Sequence, residues 1–267
     1  VGIDPVDGLS FESDGAPIAE LAVESVDALV DRGSTVAELA ANRRAWRFGH
    51  VIVDEAQDLS PMQWRMFTRR ARKGSMTIVG DLGQRSIGEP GVWDDHLPPE
   101  LAEFAYRELT INYRSPAEVN DLAAAVLAEL APGLAPSRAI RSVGRVPTVT
   151  EIDDDHQAVV DVASERRSAM PGGRLAVIGL DLPSSTMCQR AGAVQWLTPW
   201  QAKGLEFDSV LLLDPATILE APGGLSLLYV GITRTTEQLE ILHHRPLPSV
   251  LERVLGVASA STPAPSE

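Results

Sequence analysis

The chain has 267 residues, and 37 acidic residues against 23 basic ones give it a formal net charge of −14. Hydrophobic residues make up 44% and charged residues 22%, which is typical of a globular protein and excludes wholesale disorder. The single cysteine, Cys188, excludes an intrachain disulfide framework and a cysteine-rich zinc site, and it indicates a reducing compartment. No apolar run approaches the roughly 18 residues of a membrane span. We therefore expect a cytoplasmic protein with no membrane partner.

The acidity is concentrated at the start of the chain. Residues 1–31 hold eight carboxylates and no lysine or arginine. A solvated acidic segment that aids solubility is the simplest interpretation, and contact with a basic partner surface is the alternative. The chain as a whole lacks the basic surface expected of a self-sufficient nucleic-acid binder.

Short apolar runs alternate with helical segments along the chain. Helices are predicted at 17–31, 34–46, 61–72, 115–130, 155–169 and 226–233. Strands are predicted at 50–53, 76–79, 108–111, 146–152, 175–180, 194–197, 210–213 and 239–242. Ser115 and Glu118 have the spacing of a capping box. Apolar runs of this length between helices predict an α/β fold with parallel sheets buried on both faces.

Two adjacent carboxylates, Asp54 and Glu55, follow the first predicted strand. The carboxyl ends of strands are where open α/β sheets bind ligands. In nucleoside-triphosphate hydrolysis, one carboxylate at such a place holds Mg²⁺ and its neighbour orients or deprotonates the attacking water. A strand that ends in a polar turn is the alternative.

Polar side chains also follow the second and third predicted strands. Gln84, after Gly80-Asp81, is placed to sense a terminal phosphate or its attacking water, with a loop turn as the alternative. Arg114 precedes a helix start, where a guanidinium suits a phosphate, although a surface ion pair is also compatible.

Two further clusters lie in the later half of the chain. Lys203, Gly204 and Glu206 follow one predicted strand, and Lys203 is one of only two lysines in the sequence. Arg234 lies near the end of a predicted helix. Each cluster alone has a structural explanation, but the five together keep a particular order.

In that order the clusters resemble the motifs of UvrD/Rep-like superfamily-one helicases, over about residues 50–242. The resemblance implies two RecA-like lobes, a partial first lobe at 1–106 and a near-complete second lobe at 107–257, followed by a disordered tail at 258–267. The cofactors it implies are ATP and Mg²⁺. The partner it implies is DNA, as a single strand or tailed duplex.

The resemblance also implies a role for each motif residue. The expected catalytic residues are Asp54, Glu55, Gln84, Arg114 and Arg234, of which the two arginines act as arginine fingers. The expected metal ligands are Asp54 and Glu55. The expected nucleotide-binding residues are Lys203, Gly204 and Glu206. Three positions depart from the family pattern: Arg85, Trp200 and Gln201.

The P-loop of the family, Gly-x-x-x-x-Gly-Lys-Ser/Thr, is absent, because no Gly-Lys pair occurs anywhere in the sequence. We therefore expect the chain to be the C-terminal fragment of a longer motor, inactive alone, with an incomplete first sheet that exposes apolar surface. The interval between residues 115 and 194 is too short for a large accessory domain. That feature resembles the HelD-type members, which release bacterial RNA polymerase from nucleic acid, so RNA polymerase is the alternative partner.

Overall fold

The structure, a computed structural model, describes residues 47–71, 74–85, 88, 90–101 and 103–256. The helices predicted at 17–31 and 34–46 and the tail predicted at 258–267 lie outside these residues. In the part of the chain that the structure describes, no helix is long and apolar enough to span a membrane.

The described residues form nine β-strands and eight α-helices. The strands are β1 Val51–Val53, β2 Met76–Ile78, β3 Ile111–Asn112, β4 Arg138–Ala139, β5 Thr148–Glu151, β6 Leu175–Ile178, β7 Val194–Leu197, β8 Phe207–Leu213 and β9 Thr235–His243. The helices are α1 Pro61–Arg70, α2 Trp93–His96, α3 Ala117–Leu130, α4 His156–Ala169, α5 Ser185–Cys188, α6 Pro215–Glu220, α7 Gly224–Thr233 and α8 Ser249–Leu255.

Five strands form the larger sheet in the order β5-β9-β8-β6-β7, and every neighbouring pair is parallel. All four residues of β6 are buried, because parallel strands are connected by helices that cover the sheet. The predicted fold class, α/β with parallel sheets and flanking helices, is confirmed.

The apolar runs supply cores on both faces of this sheet. Ile178 and Leu212 pack on one face with residues of α3, α6, α7 and α8. Val177 and Leu211 pack on the opposite face with residues of α4 and α5. Successive side chains of a strand point to opposite faces, so a strand buried on both sides requires a continuous apolar run.

A second, smaller parallel sheet joins β1 to β2. Val53 packs beneath α1 against Trp64, which is 2% exposed. Ile52 is 72% exposed, and Met62 of α1 is 70% exposed. This short sheet places Asp54 and Asp81 just beyond the carboxyl ends of its two strands. A third parallel pair, β3 and β4, leads from Asn112 into Arg114.

The capping box predicted at Ser115 and Glu118 is wrong. The residue before α3 is Pro116, which has no side-chain cap, and Ser115 is buried. The chain after β4 returns past the start of α3, so Glu118 instead accepts hydrogen bonds from the Ser142 hydroxyl at 2.6 Å and the Gly144 amide at 2.8 Å. These bonds, the Ser142 bond foremost, lower the pKa of Glu118 to about 2.

A capping box forms at α1 instead. The Ser60 hydroxyl accepts from the Gln63 backbone amide, and the Ser60 backbone amide donates to the Gln63 side chain.

Strand limits also differ from prediction. β3 is shorter and later than 108–111, whereas β8 and β9 begin before 210 and 239. Their additional first residues, mostly polar, extend the strands because the two are neighbours, with Phe207 opposite Thr235.

Candidate functional site

Asp54 and Glu55 lie at the end of β1 with exposed side chains. Glu55 has φ 52° and ψ 38°, the left-handed region that non-glycine residues rarely adopt. Its amide donates to Asp54 Oδ1 at 2.9 Å. The left-handed turn ends the strand abruptly and starts the 3₁₀ turn Ala56–Asp58, so two consecutive carboxylates project at one sheet end.

Gln57 fixes the Glu55 carboxylate. It is fully buried, and its Nε2 donates to Glu55 Oε2 at 2.7 Å. Its Oε1 accepts from the amide of Asp81 at 3.1 Å, so one side chain ties the end of β1 to the end of β2. The sequence prediction gave Gln57 no role. The available signal was a glutamine within an otherwise apolar or acidic turn, which did not specify its partners.

Asp81 organises the loop after β2. Its Oδ1 accepts from the Gly83 amide at 2.9 Å, and its Oδ2 accepts from Gln84 Nε2 at 2.8 Å. Tyr229 of α7 also hydrogen bonds to Asp81, and burial together with the Asp81 charge raises the pKa of the Tyr229 hydroxyl. A β-carbon on Gly83 would lie 3.1 Å from the Tyr229 ring, so only glycine allows this close approach.

Arg234 reaches this loop from the other sheet. It is 2% exposed and lies directly after α7, and its Nη2 donates to Gln84 Oε1 at 3.1 Å. Burial and the nearby Arg114 charge lower the pKa of Arg234, while Glu55 and Asp81 act in the opposite direction. The two predicted arginines and Glu55 are therefore close enough to interact through their charges.

Two ion pairs complete the arrangement. Arg114 pairs with Glu206, and both side chains are partly exposed. Lys203 Nζ pairs with Asp58 Oδ2 at 2.6 Å and also donates to the carbonyl of Gln84. The Lys203 contacts join the loops of the five-stranded sheet to the loops of the β1–β2 sheet.

Gly204 borders the same region, since a β-carbon on it would lie 3.9 Å from Glu55 Oε1. We refer to the space bordered by Glu55, Gln84, Arg114, Gly204 and Arg234 as the motif cleft.

The motif cleft brings together every predicted site residue. Asp54 adjoins Glu55, and one of its carboxylate oxygens accepts a hydrogen bond from the Glu55 amide. Lys203 forms an ion pair with Asp58. Among the described residues, no three His, Cys, Asp or Glu side chains are arranged to hold a metal ion alone. Mg²⁺ in nucleotide sites is usually held by one or two carboxylates plus phosphates and water. The exposed Asp54 and Glu55 side chains fit that kind of site.

The positions that depart from the family pattern have structural roles in two cases. Arg85 Nη1 donates to the carbonyl of Gln57 at 2.6 Å and so supports the turn beneath Glu55. Gln201 accepts from the Thr198 amide at 2.9 Å and closes the turn that leads to Gly204. Trp200 is 43% exposed, and no described contact explains the substitution there.

Comparison with known proteins gives one family match. Residues 18–87 match the family described as UvrD/REP helicase N-terminal domain. No curated protein matches the chain.

Among solved structures, the C-terminal domain of a possible DNA helicase from Lactobacillus plantarum is 20% identical, with a TM-score of 0.40, over 54% of this chain and 94% of that one. An arterivirus nonstructural protein 10 (helicase) is 16% identical, with a TM-score of 0.44, over 78% of this chain and 41% of that one. The same viral helicase in complex with DNA gives a TM-score of 0.42 at 16% identity, over 78% of this chain and 42% of that one.

Fold and cleft define an α/β protein in which Arg234, beside the larger sheet, lies close to the acidic loops after β1 and β2. The resemblance that the motifs indicated is confirmed over residues 18–87, which match the UvrD/REP helicase N-terminal domain. The match begins upstream of residue 50, so it includes part of the acidic segment. It ends at residue 87, and the roles of Arg114, Glu206 and Arg234 rest on motif order and geometry.

Proposed function

We propose that this chain forms part of an ATP-dependent motor of the UvrD/Rep type, which couples ATP hydrolysis to movement on DNA. The observation that carries the proposal is that Arg234, after α7, lies close to both Glu55, in the loop after β1, and Arg114, after β3. Charge that develops on a transferred phosphoryl group is stabilised by preorganised cations, and here those cations belong to a different sheet from the acids. Closure of the two sheets on each other then controls the chemistry.

Each residue of the motif cleft has a proposed part. Asp54 and Glu55 would hold Mg²⁺, and Glu55 would accept a proton from the attacking water. Bound ATP would supply the phosphoryl group, whose charge Mg²⁺ offsets. Gln57 keeps one Glu55 oxygen engaged, which leaves Oε1 directed toward Gly204. Glu206 and Gly204 would contact the nucleotide.

The two arginines are held by bonds that a phosphate can replace. Arg234 donates to the neutral amide oxygen of Gln84, which is a weaker acceptor than a phosphate oxygen. Arg114 pairs with Glu206 at partly exposed positions, where an ion pair contributes little. Gln84 also holds Asp81, so a change at Arg234 reaches the loop after β2. This connection supports the proposed coupling between phosphate and DNA contact.

The chain alone is proposed to be inactive, because the sequence has no Gly-Lys pair from which a P-loop could be built. The test is steady-state ATP turnover by the purified 267-residue chain with Mg²⁺ and single-stranded DNA. We expect no turnover above background. ATP turnover at helicase-like rates would overturn the proposal that this chain lacks the phosphate-binding part of the motor.

The motor proposal itself is tested in the full-length protein with the substitution Arg234→Ala. We expect kcat for ATP to fall by roughly 10³-fold, the usual contribution of an arginine finger. The matched control is Arg253→Ala, which removes a surface arginine whose described contacts, to Glu129 and the Ser249 carbonyl, lie outside the motif cleft. An unchanged kcat in the Arg234 variant would refute the proposed role.

A partner assay separates DNA movement from the alternative, a HelD-type factor that remodels RNA polymerase. Full-length protein is tested for unwinding of tailed duplex DNA with ATP, and for co-purification with RNA polymerase from cells. Unwinding without polymerase association supports the DNA motor. Association without unwinding supports the alternative.

A further inference from the structure

A pocket lies at the carboxyl ends of β5, β6, β8 and β9, away from the motif cleft. Its polar lining comprises five aspartates and two histidines: Asp153, Asp154, Asp155, Asp181, Asp214, His156 and His244. Glu206 and Arg234 precede β8 and β9, so the motif cleft lies at the amino ends of the same strands. The carboxyl end is the edge at which open α/β sheets usually bind ligands. None of the functional residues predicted from the sequence lies there.

Asp214 provides a buried carboxylate with one oxygen that no described group satisfies. The residue is 3% exposed and lines the pocket, yet its Oδ1 has no hydrogen-bond partner among the described atoms. The other oxygen accepts from the Thr217 hydroxyl. The nearest cationic candidate, His244 Nδ1, lies 3.9 Å away, which is beyond hydrogen-bonding distance. Buried carboxylates are ordinarily paired, so this oxygen indicates a ligand.

The rest of the pocket is negative. The other His244 nitrogen lies 3.5 Å from Asp154 Oδ1, and His156 Nε2 lies 3.3 Å from Asp181 Oδ1. No lysine or arginine lines the pocket in the described part of the chain. The nearby Arg245 forms an ion pair with Glu220. Its charge also interacts with Asp214 at longer range.

The spacing of the acids selects the kind of cation. Asp154 Oδ1 and Asp214 Oδ1 lie 3.5 and 3.9 Å from opposite nitrogens of the His244 ring, so the two acids flank that ring with a gap on each side. Among the described residues, no three His, Cys, Asp or Glu side chains converge in the way that a metal site requires. A guanidinium is planar and carries five donors that can reach carboxylates several ångströms apart.

We propose that this pocket binds an arginine side chain presented by a protein partner. The guanidinium would donate to Asp214 Oδ1 and extend toward Asp154 and Asp181 at the rim. The proposal does not depend on the proposed function, because none of these residues borders the motif cleft. It identifies a protein docking point at the end of the five-stranded sheet that faces away from the proposed nucleotide site.

The first test measures binding of a fluorescein-labelled Gly-Arg-Arg-Arg-Gly peptide to the 267-residue chain by fluorescence anisotropy at low salt. The double variant Asp154→Asn/Asp181→Asn removes two exposed rim charges with little risk to folding, since those side chains are 85% and 70% exposed. We expect it to weaken the peptide about tenfold or more, which corresponds to about 1.4 kcal/mol. A peptide with citrulline in place of arginine is expected to bind far more weakly to the wild type.

The matched control is Asp121→Asn/Asp161→Asn, which makes the same change in net charge on exposed helix surfaces outside the pocket. We expect its affinity for the arginine peptide to stay within about twofold of the wild type, because screening limits the effect of distant surface charges. Equal weakening by both double variants would overturn the proposal, since the peptide would then respond only to total charge. Equal binding of the citrulline peptide would overturn it as well.

A second measurement uses Asp214→Asn. Asparagine tolerates the positive φ of 40° at this position and removes the unpaired charge. We expect an equal or higher Tm together with weaker peptide binding. A Tm lowered by several degrees would show that the carboxylate is satisfied within the fold, which would overturn the proposal. Saturable Mn²⁺ binding that is lost in this variant would overturn it in favour of a metal.

Discussion

Glu55 and Asp214 share a backbone feature, positive φ in a non-glycine residue, that no other described non-glycine residue has. Such conformations cost about 1–3 kcal/mol each and persist where the surroundings hold them. Glu55 is held by Gln57 and by the Asp54 carboxylate, and Asp214 by Thr217. Asp214 follows β8 directly and Glu55 follows β1 after one residue, so each carboxylate lies just beyond the end of a parallel strand. The two positions are the centres of the motif cleft and of the acidic pocket.

Replacing Gln57 tests whether Glu55 is positioned by its neighbour. Gln57→Leu leaves the Asp81 amide without its acceptor and the Glu55 carboxylate without its donor. We expect the free energy of unfolding to fall by about 1–3 kcal/mol, the cost of a buried polar group left unsatisfied. Urea denaturation of the chain measures this.

In the full-length protein, Gln57→Leu is expected to lower kcat for ATP more than it raises KM, since a positioning residue acts on the reacting geometry. Gln195→Leu, on an exposed position of β7, is the control and should leave both values near the wild type. A stability loss with no change in kcat would limit Gln57 to a structural role.

At the scale of elements, α7 lies close to the large sheet because it contains Gly231. A β-carbon there would lie 2.7 Å from Leu212 Cδ1 and 3.7 Å from Ile178 Cγ2. The close approach lets Ser226 of α7 donate to the carbonyl of Gly83 at 3.0 Å. The packing of α7 on the sheet therefore also brings Arg234 to Gln84.

The substitution Gly231→Val should separate α7 from the sheet. Overpacking of a filled core costs about 1–3 kcal/mol, and we expect a loss of that size in urea denaturation. Gly133→Ala is the control, because a β-carbon at Gly133 meets nothing within 4 Å. A Gly231 variant as stable as the wild type would show that α7 moves freely on the sheet.

The start of α3 is predicted to be sensitive to acid. The pKa of Glu118 is lowered in the fold to about 2, chiefly by the Ser142 hydroxyl. A group with a depressed folded pKa stabilises the fold above its unfolded pKa, near 4.5, and loses that contribution as the pH falls toward 2. We expect Glu118→Gln to flatten the decline of the urea midpoint between those pH values. The exposed Glu108→Gln is the control and should decline as the wild type does.

At the scale of the whole molecule, the two sheets meet through a few polar contacts rather than a broad apolar surface. These contacts include Lys203 with Asp58, Arg234 with Gln84, Tyr229 with Asp81, and Ser226 with Gly83. A polar junction of this kind separates more readily than an apolar core, because its groups can be satisfied by water or by a ligand. The junction therefore suits two units that open and close.

The Lys203–Asp58 pair is predicted to hold part of that junction. A double-mutant cycle with Lys203→Met and Asp58→Asn should give a coupling energy of about 1 kcal/mol, because the pair is partly exposed. Urea denaturation at low and high salt measures it, and we expect the coupling to fall as salt rises. Additive effects of the two substitutions would show that the pair does not couple the sheets.

The sequence predicts the α/β class because buried parallel strands need continuous apolar runs, as at 175–180. It also predicts the five motif clusters, whose order and spacing are local properties of the chain. It did not indicate Gln57 as a tie between Glu55 and Asp81, since that contact joins positions 24 residues apart. The Asp214 pocket was missed for the same reason, because its acids come from loops that follow three different strands. The wrong capping box at Ser115 reflects a tertiary contact to Glu118 that replaced a local one.

The length of β8 determines how the two ends of the large sheet influence each other. Seven residues of strand span about 23 Å, which separates the motif cleft from the acidic pocket by nearly three Debye lengths in physiological salt. The negative charge at one end is therefore screened from a nucleotide at the other. In dilute buffer, where the Debye length grows to about 30 Å, the same charge would repel nucleotide phosphates. Nucleotide affinities measured at low ionic strength would then understate the affinity of the cleft under cellular conditions.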